Sequence, residues 1–257
     1  VIHVRKISAF LHFLRIRMLQ HDRTVRSVMP WFLICLSFFS AAAAAAFGVV
    51  SFFSNHGEFF LPESVLVALQ RGQLWTNVLS SKPVSGGINI ILNNVLVSFR
   101  TFVSGIFLGI PSLLLVLYNG WHLGSVLSVT AKFSMAGKLL QFVFNHGFLE
   151  ITIILLSGAL GLKTGISFFS LPAGLRFQYF VTCFQDSLNS VMILSLWLFV
   201  CGIVESRLSP IMANLLPHRL MLPVSCISGL LLLGLYIFIH HRRKETHGRD
   251  AGNKEAE

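Results

Sequence analysis

Long apolar stretches without a single charged residue alternate with short polar intervals along this chain. No Asp, Glu, Lys or Arg lies between Arg26 and Glu58, or between Asp186 and Glu205. A helix needs roughly 20 apolar residues to cross the hydrocarbon core of a bilayer, which is about 30 Å thick. The apolar windows therefore predict membrane-spanning helices, at residues 30–54, 97–117, 148–168, 183–204 and 221–241.

The segment before the first window, residues 1–29, is basic and amphipathic. It carries six Arg and Lys residues against one acid, Asp22. The segment is either a helix that lies on an anionic leaflet or a simple basic topology anchor, and the positive-inside rule assigns it to the cytoplasm. Its apolar residues recur at helical spacing, and they are Ile7, Phe10, Leu11, Leu14 and Met18.

The charges at the two ends bear on the number of crossings. The tail, residues 242–257, is also rich in Lys and Arg, so the same rule assigns it to the cytoplasm. Two cytoplasmic ends require an even number of spans, and we expect a short or re-entrant sixth within residues 119–146. The sequence thus predicts an all-α, polytopic transmembrane helical bundle of five or six spans over residues 30–241.

The interval 55–87 is more polar than the windows on either side of it. Pro62 and Glu63 are typical of a helix start, and the run Ser85-Gly86-Gly87 is typical of a loop. We expect this interval outside the cytoplasm, as a loop with an interfacial helix.

Glycines four residues apart recur within the apolar windows. Such spacing lets two helix backbones approach closely, which matters in lipid because packing drives helix association there. Pro111 removes a backbone hydrogen bond, so we expect the helix to bend or break near it. The predicted packing pairs are Gly105 with Gly109, Gly120 with Gly124, and Gly161 with Gly165.

Polar residues at membrane depth are the best candidates for function, because ionisable groups there are costly. His146 and Glu150 are four apart, so on a helix they would share one face and could form a hydrogen-bonded pair. Asp186, with Gln185 and Asn189, forms another polar group. The candidate interaction residues are His146, Gly147, Glu150, Asn119, Gly120, Asn93, Asn94 and Arg100. The last three could equally lie at the headgroup boundary.

Composition and motifs exclude several functional classes. The chain is 54% hydrophobic and 12% charged, and its net charge of +10 comes from basic residues at the ends of apolar windows rather than from a nucleic-acid-binding face. The four cysteines show no C-x-x-C spacing. A His and one Glu are too few ligands for a closed zinc site. We therefore predict no catalytic, cofactor-binding or metal-binding residues, and no enzyme activity.

Four motifs together resemble a known family. They are Asn93-Asn94, Tyr118-Asn119-Gly120, His146-Gly147-x-x-Glu150 and Ser157-Gly158-x-x-Gly161-Leu162. The order and content of these motifs are similar to the stage II sporulation protein M family of bacterial membrane proteins, over about Trp31 to His240. The block around His146 and Glu150 is the most specific part of the resemblance.

The resemblance implies a function and a location. It implies a non-catalytic anchor and scaffold in the bacterial cytoplasmic membrane, whose partners are membrane lipid and cell-wall hydrolases, a lytic transglycosylase and an amidase. The alternative, a permease-like transport subunit, is motivated by the break at Pro111 and by the His146 and Glu150 pair.

Overall fold

The computed structural model describes residues 16–18, 20–53, 63–71, 83–209, 211, 215 and 218–241, and every regular element among them is a helix. A 3₁₀ turn covers Ser104–Ile106 and a π-helical turn covers Val204–Leu208. The helices are α1 (20–27), α2 (Met29–Phe52), α3 (Glu63–Gln70), α4 (Pro83–Val103), α5 (Ile110–Lys132), α6 (Ala136–Val143), α7 (Gly147–Ser167), α8 (Ala173–Ile203) and α9 (His218–His241).

The described helices confirm the prediction of an all-α membrane protein. Five of the described helices are long and apolar enough to cross a membrane, and α9 contributes a shorter apolar stretch, Leu222–Ile237. Large apolar side chains cover the outer faces of the bundle, as contact with lipid requires: Leu33, Leu92 and Leu196 are each more than half exposed. The five helices long and apolar enough to cross are Met29–Phe52, Gly87–Ile106, Ile110–Lys132, Gly147–Ser167 and Ala173–Leu208.

The predicted span at 97–117 is wrong, because the chain breaks in the middle of it. Leu108 and Gly109 have φ angles of 61° and 78°, in the left-handed region that ends a helix. α5 then begins at Ile110, with Pro111 in its first turn, where the missing N–H has no helical partner to lose. The break near Pro111 was thus correctly predicted, but it separates two spans.

A short or re-entrant sixth span was expected within 119–146, and the structure shows no separate helix of spanning length there. Residues 119–132 continue α5 to Lys132, and the short helix α6 follows after a tight turn. The predicted loop at Ser85-Gly86-Gly87 lies instead inside α4. Residues 54–62, 72–82 and the tail 242–257 lie outside the described residues.

α7 is the central helix of the bundle. It contacts α2, α4, α5, α8 and α9, and two thirds of its apolar window is buried. Hydroxyl pairs connect it to its neighbours: the Ser157 and Ser98 oxygens lie 2.6 Å apart, and Thr164 donates to Ser187 at 3.0 Å. In a membrane, such polar contacts join helices where the hydrophobic effect does not.

The glycine pairs lie where helix backbones meet. A Cβ on Gly105 would overlap the backbone of Gly161, and one on Gly165 would overlap the Gly105 carbonyl oxygen. A Cβ on Gly120 or Gly124 would overlap carbonyl oxygens of α2. These glycines therefore allow the 3₁₀ turn to pack closely on α7, and α5 to pack closely on α2.

The end of the basic arm packs against the bundle. His21 and Val28 are fully buried, and the Lys163 ammonium donates to the Ser27 hydroxyl at 2.6 Å. Gln20 donates to Asp186, one of the polar residues singled out in the sequence. The described end of the arm is thus a helix that packs against α7 and α8. Residues 1–15, which carry most of the predicted apolar stripe, lie outside the described residues.

Candidate functional site

A chamber of about 590 Å³ lies between α4, α5, α6 and α7. Most of its wall is apolar, including Phe39 of α2 and the stacked rings of Phe144 and Phe148, whose centroids are 5.1 Å apart. Its polar lining is unusual for membrane depth, and it consists of Asn89, Asn93, Asn94, Asn119, His122, His146, Glu150 and Glu205.

His146 immediately precedes α7 and is 3% exposed. Its carbonyl oxygen accepts the N–H groups of Leu149 and Glu150, at 3.1 and 3.2 Å, which begins the helix. Its Nε2 lies 3.8 Å from Oε2 of Glu150 and 3.5 Å from Oε2 of Glu205. The distance of 3.8 Å between His146 and Glu150 is too long for the predicted hydrogen bond. Glu205 joins the two residues in a group of three.

Glu150 lies in the first turn of α7. The positive end of the helix dipole favours a carboxylate at this position. The Oε1 atom of Glu150 accepts a hydrogen bond from the Asn94 amide of α4. Asn94 thus connects the two helices and fixes the direction of the carboxyl group.

Glu205 was missed in the sequence analysis. It belongs to the π-helical turn that follows α8, and it is 7% exposed. Such turns are rare, and they often mark functional sites because they change the direction of a side chain. The only signal in the sequence was an acid at the end of a long apolar window, more than fifty residues from His146.

His146, Glu150 and Glu205 form what we call the acid–histidine cluster. One ligand atom from each lies within 4.8 Å of the others. Within the described part of the chain, no other set of three His, Cys, Asp or Glu side chains comes as close. His146 and Glu150 alone are too few ligands for a closed zinc site, and the fold supplies a third in Glu205.

Asn145 fixes the loop that carries His146. Its amide nitrogen donates to the Ser209 hydroxyl at 3.1 Å, and its amide oxygen accepts from the Ser228 hydroxyl at 2.5 Å. Ser209 follows the π-helical turn and Ser228 belongs to α9. The loop before α7, the residue after the π-helical turn and α9 are therefore held together directly beside the cluster.

The other candidate residues have different positions. Asn93 and Asn119 line the chamber, although Asn119 also donates to the Leu115 carbonyl of its own helix at 2.7 Å. Gly120 is buried against Phe39. Arg100 is exposed and lies outside the chamber lining. The structure thus brings His146, Gly147, Glu150, Asn93, Asn94 and Asn119 together.

Two carboxyl groups and an imidazole in a low-dielectric interior can share protons or hold a cation. Like charges this close are unfavourable in a buried site, so at least one carboxyl must be neutralised by a proton or a bound cation. Imidazole nitrogen and carboxylate oxygen are also common ligands of transition metals. The arrangement can therefore bind positive charge.

Comparison with known proteins identifies the family. The family model described as stage II sporulation protein M matches residues 31–210, which is more than half of the chain. The match includes Asn94 and all three residues of the acid–histidine cluster. No curated protein and no solved structure matches the chain. This chain, with its five helices of membrane-spanning length, belongs to the stage II sporulation protein M family.

Proposed function

We propose that the chain is a non-catalytic anchor and scaffold for proteins that remodel the bacterial cell envelope. The observation that carries the proposal is the family match over residues 31–210. The partners we propose are cell-wall hydrolases, a lytic transglycosylase and an amidase, acting outside the cytoplasmic membrane.

The packing of the bundle suits a scaffold, which must present a fixed surface to its partners. Backbone contacts at Gly105 and Gly124 and the hydroxyl pair of Ser98 and Ser157 connect the helices without long flexible side chains. A well-packed helix interface changes shape little, because interiors of this kind are close-packed.

We further propose that both basic flanks face the cytoplasm. If α9 crosses the membrane, the six helices return the chain to its starting side. α3 would then lie on the outer face, since it follows the first crossing. Its exposed residues Glu63 and Val67 would be accessible to partners there.

Site-specific photocrosslinking in living cells tests the scaffold. A photoreactive amino acid at Val67 should yield adducts that contain a cell-wall hydrolase. The same amino acid at Leu196, which is exposed on a membrane-spanning helix, provides the control and should not yield them. Deletion of the gene should also alter envelope morphology. Normal morphology after the deletion, together with no hydrolase adduct from Val67, would refute the proposal.

A permease-like transport subunit is the second candidate, and the chamber is the observation that favours it. Asn93 and His122 at its wall are exposed, whereas His146 and Glu205 are buried, so the lining runs from accessible to enclosed groups. Ion flux into proteoliposomes should then be measurable and should fall with His146→Ala. Flux equal to that of empty liposomes would remove this candidate.

A further inference from the structure

We propose that the acid–histidine cluster binds one divalent transition-metal cation, of the zinc class, through Nε2 of His146 and one carboxylate oxygen each of Glu150 and Glu205. This inference is independent of the scaffold proposal, since it rests on the geometry of the cluster rather than on the family.

The distances between the ligand atoms suit such an ion. Zinc binds imidazole nitrogen and carboxylate oxygen at about 2.0–2.2 Å, so two ligands at a tetrahedral angle lie roughly 3.4 Å apart. The two distances from Nε2 of His146 are 3.5 and 3.8 Å. The carboxylate oxygens of Glu150 and Glu205 lie within 4.8 Å of each other, so the three side chains need to close only modestly around one ion.

The charges of the cluster favour a divalent cation. Two carboxylates bring two negative charges into a buried site, and a divalent ion would balance both. The imidazole nitrogen favours zinc or a neighbouring transition metal over Mg²⁺ and Ca²⁺, which prefer oxygen ligands.

The surroundings hold the ligands in place. Asn94 donates to Oε1 of Glu150, while Oε2 is the oxygen that contacts His146. Asn145 connects the His146 loop to Ser209 and Ser228. Groups that orient metal ligands in this way commonly affect affinity by about 10–100-fold. All three ligand residues line the chamber of about 590 Å³, which has space for a fourth ligand.

Metal analysis of the purified full chain in detergent micelles tests the proposal. The protein is first treated with a chelator and then titrated with Zn²⁺ alone, with any affinity tag removed. We expect one zinc ion per chain, and an X-ray absorption spectrum that shows one imidazole with oxygen ligands. Zn²⁺ should also raise the thermal unfolding midpoint of the wild type, because it binds the folded state.

Matched variants locate the ion. Glu205→Gln removes one ligand at almost constant volume and should weaken Zn²⁺ binding by at least about 100-fold, while Asn94→Ala should weaken it by about 10-fold. Asp186→Asn makes the same charge change on α8, far from the cluster, and should bind as the wild type does.

Two results would overturn the proposal. One is a wild type that retains well under one zinc ion per chain and shows no thermal shift, which would mean that the cluster holds only protons. The other is equal binding by the wild type and a folded Glu205→Gln. If that variant does not fold, the stoichiometry and the absorption spectrum of the wild type decide the question.

Discussion

The Asn94 amide donates a hydrogen bond to the Glu150 carboxyl group, and this contact joins α4 to the first turn of α7. The two residues are far apart in sequence, and each belongs to a helix of membrane-spanning length. In a low-dielectric interior, a carboxyl group that loses such a donor is left with a large desolvation penalty. The contact therefore matters for stability as well as for the site.

Asn94→Ala should destabilise the protein. Removal of a partner from a buried polar group costs about 1–3 kcal/mol. The free energy of unfolding in mixed micelles, from denaturant titration followed by circular dichroism, measures the effect. Asn93→Ala is the matched control, because Asn93 is exposed at the chamber wall, and it should change the stability little. Equal losses in both variants would contradict the structural role assigned to Asn94.

Gly124→Ala should also destabilise the bundle. The added methyl group would overlap the Ala43 carbonyl oxygen of α2, so the two helices must separate. Overpacking of this kind typically costs about 1–3 kcal/mol. Gly137→Ala provides the control, since a Cβ at that position would meet no atom of a neighbouring helix within 4 Å. Thermal unfolding in detergent that ranks the two variants equally would show that α2 and α5 are not in close contact.

The Ser98 and Ser157 hydroxyls should show measurable coupling. A double-mutant cycle with Ser98→Ala and Ser157→Ala should give an interaction energy of about 0.6 kcal/mol, as for similar contacts in membrane proteins. Ser37→Ala replaces a hydroxyl that bonds only to the Leu33 carbonyl of its own helix, so it should not couple to Ser98→Ala. Additive effects in the Ser98 and Ser157 cycle would contradict the contact.

The continuity of α5 has a topological consequence. Its 23 residues span about 34 Å, enough to cross the hydrocarbon core. In a cysteine-free background, an impermeant maleimide should label Ile110→Cys from one side of the membrane and Phe133→Cys from the other. Tyr118→Cys, near the middle of the helix and exposed to lipid, should resist labelling. Labelling of both end positions from the same side would instead indicate a re-entrant segment.

The sequence predicts α2 and α7 well because length alone identifies them. Their apolar windows, 30–54 and 148–168, match Met29–Phe52 and Gly147–Ser167 within two residues at each end. α4 was misplaced for a physical reason: Asn89, Asn93 and Asn94 reduce its mean hydropathy to 1.2, the lowest of the five. The asparagines that line the chamber thus lower the hydropathy by which α4 would otherwise be recognised as a span.

The candidate site was predicted only in part. His146 and Glu150 were found because they are close in sequence, and their shared location follows from helix periodicity. Glu205 joins them through the packing of α8 against α4 and α7, and no periodicity in the sequence encodes that contact. A cluster formed by distant segments becomes visible only when the helices are assembled.

The π-helical turn at Val204–Leu208 gives the helix Ala173–Leu208 two rotational phases. A π turn holds one residue more than an α turn, so the side chains beyond it are rotated by roughly 100° relative to an unbroken α-helix. Glu205 lies at the start of the turn and follows the buried Leu198 and Cys201 at ordinary helical spacing, so it is directed inward before that rotation takes effect. The rotation acts on the residues beyond the turn, where Ser209 accepts a hydrogen bond from Asn145, so the inserted residue adjusts how the end of a lipid-facing helix meets the His146 loop.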